Sequence, residues 1–187
     1  MDLMQNDIER YTYADYCSWD DDQRWELIDG VAYAMAPGPG MIHQRYSSRL
    51  HAMLFNFLKG KSCEVFPAPF DVRLNADTHD DTVVQPDLVV ICDPSKLGAA
   101  GCIGAPDMVI EILSPSTSAR DRTLKLQVYQ RAGVREYWIV DPELKAVHVH
   151  TLENGRYYVT CYIGAASVPV HVLDGCTVDL SEVFAER

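Results

Sequence analysis

The stretch DMVIEILSPSTSARDRTLKLQVYQRAGVREYWIVDP, residues 107–142, decides the fold. Asp107 to Leu113 is a short apolar run of the kind that forms a buried strand. Ser114-Pro115-Ser116-Thr117 is a turn that supplies an N-cap. The following residues predict a helix from about Ser118 to Ala132, stopped at Gly133. Tyr137 to Val140 reads as a second strand, halted by Asp141-Pro142. A single helix between two such strands specifies one right-handed crossover between parallel neighbours.

The flanking sequence adds mostly β-structure. Downstream, Lys145 to Leu152 and Arg156 to Ile163 flank Asn154-Gly155, a hairpin signal, and a weakly ordered β-rich tail runs from Val168 to Val183. Upstream, a Thr12–Asp15 capping box opens a short helix over about Tyr13 to Ser18. Trp25 to Met35 forms a hairpin around Asp29-Gly30, and Pro37-Gly38-Pro39-Gly40 breaks the chain. Ile42, Tyr46, Leu50, Met53, Leu54, Phe57 and Leu58 recur at helical steps, predicting a helix over His43 to Lys59 capped by Gly60. Ser62 to Leu74 reads as one or two strands broken by Pro67 and Pro69. Asn75 to Asp81 is a polar loop, Thr82 to Ile91 a strand, and Pro94 to Pro106 a loop with a short helical turn. The expected class is α/β, in the α+β sense: a mixed β-sheet flanked by helices, within one domain over residues 1–187.

Composition sets the outer bounds. With 48% apolar and 23% charged residues, the 187-residue chain is neither disordered nor low in complexity. No apolar run reaches the roughly 18 residues a membrane helix needs, and Met1 to Arg10 lacks the apolar core of a secretory signal. The six cysteines (Cys17, Cys63, Cys92, Cys102, Cys161 and Cys176) form no CxxC pair or zinc-like spacing. They read as free thiols in a cytoplasmic protein. The net charge of −11 counts against a nucleic-acid binder, yet charge is segregated. Residues 1–30 hold nine acids and two bases, whereas 43–63 and 120–135 together carry +8, leaving room for a local positive groove.

Two predicted strands carry acids among apolar neighbours. Alternation puts Gln85 and Asp87 on one face with Val83, Val89 and Ile91, and Glu111 on one face with Val109 and Leu113. Desolvating such carboxylates is costly unless a cation compensates, and two on neighbouring strands make a hard oxygen site for Mg²⁺ or Mn²⁺. The alternative is that each acid reaches water at a strand end or pairs with an arginine. Asp121, Lys125 and Tyr129 share one helix face, which directs Lys125 toward the acidic strands; the alternative is a surface Asp121–Lys125 pair. His43, which opens a helix just after the Pro-Gly loop, reads as structural, the alternative being contact with a phosphate or capping of its neighbours, and His148 and His150 share a strand face without a third ligand. Glu26 is an additional candidate acid or an exposed one. No G-x-x-x-x-G-K-S/T, G-x-G-x-x-G or G-x-S-x-G occurs, which argues against an ATPase, a dinucleotide enzyme and an α/β-hydrolase, and no organic cofactor is expected.

The ordered set Glu26-Leu27-Ile28-Asp29-Gly30, His43, Gln85-Pro86-Asp87, Glu111 to Thr117, Asp121, Lys125, Tyr129 and Gly133 to Pro142 resembles the Uma2 family of endonucleases. The resemblance runs from about Tyr11 to Phe184. It implies a restriction-endonuclease-like core of the PD-(D/E)XK type, with an added C-terminal β-hairpin. It further implies that Asp87, Glu111 and the Ile112 carbonyl hold Mg²⁺ or Mn²⁺, with Gln85 and Glu26 as supporting residues. Leu113 stands where the general motif has its lysine, and Lys125 on the next helix is the matching position. The implied activity is hydrolysis of DNA phosphodiester bonds, and cleavage of both strands of a duplex favours a two-fold homodimer. The competing readings are a nuclease-fold module that binds a nucleic acid or a protein partner without cutting, and a structural or regulatory homo-oligomer with the Tyr157, Tyr158 and Tyr162 hairpin at its interface.

Overall fold

The 107–142 stretch folds as strand, helix and parallel strand. In the computed structural model, which describes residues 9–35 and 38–186, β9 (Met108–Ile112) pairs in parallel with β10 (Glu136–Asp141). The connection comprises α3 (Ser118–Arg120), a π-helical turn (Asp121–Lys125) and α4 (Leu126–Ala132), and it ends at Gly133 in the left-handed conformation. The expected helix is therefore present but contains a π turn, a rare conformation concentrated at functional sites.

Upstream lie α1 (Tyr13–Ser18), β1 (Trp25–Ile28), β2 (Val31–Ala34), α2 (Met41–Leu58), β3 (Glu64–Pro67), β4 (Asp71–Arg73), β5 (Val83–Val84), β6 (Leu88–Ile91), β7 (Leu97–Gly98) and β8 (Gly101–Ile103). Downstream are β11 (Ala146–Glu153), β12 (Arg156–Ile163), β13 (Ser167–Pro169), β14 (Thr177–Asp179) and α5 (Leu180–Val183). The strands form a main sheet in the order β12-β11-β10-β9-β6-β3 and a second sheet in the order β2-β1-β5-β4-β8-β7; β13 and β14 pair separately. The fold is mixed α+β, as expected, and the C-terminal hairpin extends the main sheet. The Thr12–Asp15 capping box is also present. The N-terminal reading falls mostly outside the described residues, as does Pro37 of the Pro-Gly break.

Four readings need correction. The segment Thr82 to Ile91 is two strands rather than one. Pro86 lacks an N–H for a ladder, so the chain leaves the second sheet after β5 and enters the main sheet at β6. The 94–106 segment holds a small hairpin, β7 with β8, besides its helical turn. Ile42 is half exposed, so the buried stripe of α2 is Tyr46, Leu50, Leu54 and Leu58. The reading of six free thiols fails because Cys63 and Cys92 are joined by a disulfide. The antiparallel pairing of Glu64 with Ile91 places these two cysteines opposite one another, leaving Cys17, Cys102, Cys161 and Cys176 free.

The main sheet has a core on each face. On one face, α2 and the C-terminal tail pack over Met108, Ile110, Ile112, Trp138 and Val140. On the other, α4 and the second sheet pack over Val89, Val109, Tyr137 and Ile139. Each large aliphatic or aromatic side chain buried here contributes about 1.5–3 kcal/mol. Glu111 points into the second layer, where the helical connection and the second sheet meet the main sheet. Among the described residues, no helix is long and apolar enough to cross a membrane.

Candidate functional site

The break at Gln85-Pro86-Asp87 sets the geometry of the site. In the antiparallel β6–β9 ladder Leu88 faces Ile110, so one further step places Asp87 opposite Glu111. The Ile112 N–H donates to Asp87 Oδ2 at 2.7 Å, fixing that carboxylate against the end of β9. His43, from the first turns of α2, places Nε2 3.1 Å from the same oxygen. No hydrogen bond or ion pair to Asp87 Oδ1 or Glu111 Oε2 occurs among the described residues.

Glu111, Glu26, Asp121 and Lys125 converge next to it, each no more than 5% exposed. Lys125 Nζ lies 2.7 Å from Glu26 Oε1, 2.8 Å from Glu111 Oε1 and 3.8 Å from Asp121 Oδ1. The Tyr129 hydroxyl donates to Glu111 Oε1 at 2.8 Å. The face shared by Asp121, Lys125 and Tyr129 thus points inward, and the surface-pair alternative does not hold. Glu26 is buried in β1, where its Oε1 also accepts the Gln85 N–H at 3.0 Å and its Oε2 lies 3.6 Å from Arg120.

Burial sets the electrostatics of this cluster. It pushes the Glu111 carboxyl well above the ordinary range. Lys125 opposes that rise, whereas Asp121, Asp87 and Glu26 add to it. Asp121 is raised by burial as well, against Lys125 and the Thr117 hydrogen bond. For Lys125, burial works against its charge, but Glu111, Glu26 and Asp121 outweigh it, so its proton is held more tightly than usual. His43 is likewise raised: burial disfavours its charge, and Asp87, the Ile112 backbone and Asp121 prevail.

These groups line an open cleft of about 840 Å³. Its ionisable walls carry Glu26, Asp87, Glu111 and Asp121 against Arg24, Arg120 and Lys125, with His43 and His51 besides. Its remaining polar lining is uncharged, including Gln44, Ser47, Ser48, Ser114, Ser116 and Thr117.

The structure thus brings together Asp87, Ile112, Glu111, Lys125 and Glu26. Gln85 reaches the cluster only through its backbone. Its side-chain amide donates to Asp71 Oδ1 at 2.7 Å and to the Tyr16 hydroxyl at 3.1 Å, and accepts from Arg24. The chain changes sheets between Gln85 and Asp87, so strand alternation does not relate them. The structural reading of His43 gives way to a place in the cleft, at which its position straight after the Pro-Gly loop and its match to the family pattern both hint. Tyr16, Arg24 and Asp71, which hold Gln85, carry no sequence signal because they lie 14 to 69 residues from it. His150 is a core histidine whose Nδ1 meets the Tyr137 carbonyl at 3.2 Å, and burial lowers its pKa.

Residues 12–181 match the model of the Uma2 family, described as "Putative restriction endonuclease". The chain belongs to the Uma2 family. This Uma2 chain is 31% identical over 152 residues to an uncharacterised protein of Synechocystis sp., an alignment that covers 79% of this chain and 78% of that protein. Its fold is similar to a crystal structure from Anabaena variabilis titled as a "putative nuclease belonging to DUF820". The TM-score is 0.76 at 20% identity, and the match covers 94% of this chain and 98% of the other. The Uma2 chain therefore has a nuclease-like fold.

Proposed function

We propose that this Uma2 chain hydrolyses phosphodiester bonds in DNA with the help of Mg²⁺ or Mn²⁺ bound between β6 and β9. One observation carries the reading: buried carboxylates outnumber the cations that could neutralise them, at the floor of an open cleft. Glu26, Glu111 and Asp121 converge on the Lys125 ammonium, with Arg120 3.6 Å from Glu26 and His43 3.1 Å from Asp87, so four carboxylates face two permanent cations and one histidine. Buried charge in such excess is costly without a further cation.

The donor set suits a hard divalent ion. Asp87 and Glu111 each present one carboxylate oxygen beyond those held by the protein, next to the Ile112 backbone. Among the described residues, no three His, Cys, Asp or Glu side chains converge in metal-ligand geometry. The remaining ligands would then be the Ile112 carbonyl, water and the substrate phosphate, in keeping with Mg²⁺ bound through one or two carboxylates. When bound, the ion supplies Lewis-acid polarisation of the phosphate and lowers the pKa of a water.

The protein residues take separate roles in this scheme. Lys125 is a donor rather than a base, because three carboxylates hold its proton. It orients the attacking water and offsets charge on the phosphate as the water oxygen bonds to phosphorus, giving its proton to solvent, and the bond from phosphorus to the sugar oxygen breaks, that oxygen taking a proton from solvent water. Glu26 fixes the Lys125 ammonium from the second sheet, while Gln85 holds Glu26 through its N–H. His43 and the Ile112 N–H hold Asp87 Oδ2 in place.

The test is calorimetric titration of Mg²⁺ and Mn²⁺ into the native protein and Asp87→Ala, followed by plasmid nicking with Lys125→Ala as control. Metal binding that disappears in Asp87→Ala, with nicking lost in Lys125→Ala, supports the proposal. No metal binding, even with DNA present, refutes it and leaves a binding module on a nuclease-like fold. That second reading draws on the −11 net charge and on a cleft whose ionisable carboxylates outnumber its arginines and lysine.

A further inference from the structure

The two edges of the main sheet are built differently. β3 is four residues long and closes at Pro67-Ala68-Pro69, which blunts it. β12 is eight residues long, and Tyr157 to Ile163 contains no charge, proline or glycine. Val159 and Ile163 are 59% and 67% exposed, and Cys161 is an exposed free thiol. A long, apolar, unprotected edge presents a row of backbone groups ready to pair with another strand.

Backbone parity identifies those groups. Asn154 and Gly155 both have positive φ, so Glu153 and Arg156 close the hairpin as a hydrogen-bonded pair. Bonded pairs alternate along an antiparallel ladder, so Tyr158, Thr160 and Tyr162 point their N–H and C=O at β11. Tyr157, Val159, Cys161 and Ile163 point theirs outward. Tyr157 agrees with this parity, since its N–H is accepted by Gln130 Oε1 at 2.8 Å. No hydrogen bond to the outward groups of Val159, Cys161 or Ile163 occurs among the described residues.

We propose that a second copy of this chain covers the edge, its β12 running antiparallel to this one about a two-fold axis at Cys161. In that register Val159 faces the partner's Ile163, and Cys161 faces the partner's Cys161, with hydrogen bonds exchanged at each pair. On the opposite face Thr160 lies beside the partner's Tyr162. Sliding toward the hairpin turn would require the Tyr157 N–H, which Gln130 already holds, so the Cys161-centred register uses only free groups. The strand is self-complementary here: its most exposed aliphatic residues meet each other and no charge. The two six-stranded sheets become continuous. The inference does not depend on the nuclease reading, and an inactive cleft leaves it intact.

Sedimentation velocity under reducing conditions, at tens of micromolar, tests it. The native chain is expected at twice its 21.0 kDa mass. Val159→Lys with Ile163→Lys should halve the mass while leaving circular dichroism unchanged, since both side chains are exposed within one chain, and should remove the concentration dependence of melting that association gives the native protein. Mild oxidation should then cross-link the native dimer, because bonded antiparallel pairs have Cα atoms about 5.5 Å apart, within disulfide reach. Cys161→Ser should keep the dimer and lose the cross-link. A monomeric native chain, or a lysine variant that stays dimeric, overturns the proposal. Cross-linking by Thr160→Cys with Cys161→Ser where the native dimer gives none overturns the register.

Discussion

Replacing Lys125 with methionine tests whether the buried cluster is as finely balanced as its geometry indicates. Lys125 is 4% exposed, and its ammonium is shared among Glu26 at 2.7 Å, Glu111 at 2.8 Å and Asp121 at 3.8 Å. Removing one partner of a buried ion pair destabilises a protein by about 3–5 kcal/mol, and at about 2–4 °C per kcal/mol for this chain length the melting temperature should fall by about 6–20 °C at neutral pH. The loss should depend on pH with a definite sign. Glu111 and Asp121 have folded-state pKa values above their ordinary ones, so the native state binds protons more tightly than the unfolded state. Their contribution is fully present below the unfolded carboxylate range and is lost as pH rises through the folded values. Lys125 opposes both shifts, so its removal extends this loss to higher pH. The variant should therefore be most deficient near neutrality and approach the native protein below the ordinary carboxylate range. Thermal unfolding by circular dichroism, in chelator across that pH span, reads the effect. Adding Glu111→Gln to Lys125→Met should recover part of the loss, since the two sites are directly coupled. A shift below about 2 °C at neutral pH, as expected of a surface pair, would refute the reasoning. So would an equal deficit at acidic and neutral pH.

Three other perturbations probe the frame around the site. Tyr129→Phe removes the hydroxyl bonded to Glu111 at 2.8 Å and should lower stability by about 1.5–3 kcal/mol in urea unfolding. Gly101→Ala forces a side chain onto a φ of +140° and drives its Cβ into the Asp71 carbonyl oxygen; it should weaken the β4–β8 pairing by more than about 1 kcal/mol, with a lower urea midpoint. Denatured without reductant, the chain should titrate four thiols of its six cysteines, and all six after reduction.

The sequence alone carried the main frame. Local patterns marked the strand–helix–strand crossover, the Asp29-Gly30 and Asn154-Gly155 hairpins and the capping box, because each is set by residues a few positions apart. It also marked Asp87, Glu111 and Lys125, since an acid in an apolar strand and a lysine on an inward helix face conflict with their surroundings and so stand out. Pro86 marks locally where 82–91 breaks, but which sheet each half joins and the Cys63–Cys92 bridge depend on which distant strands pair, and the half-exposed Ile42 depends on how far the core reaches along α2; no local pattern encodes these. Tertiary structure also decided between the open alternatives. Glu26 became a buried partner of Lys125 because β1 packs across from the helical connection. Gln85 turned its amide away because Pro86 separates it from Asp87, and His43 came to Asp87 because α2 begins at the cleft. Sequence thus set which groups were chemically out of place. Long-range packing set which of them share one low-dielectric pocket, where distances of 2.7 and 2.8 Å turn separate charges into one coupled site.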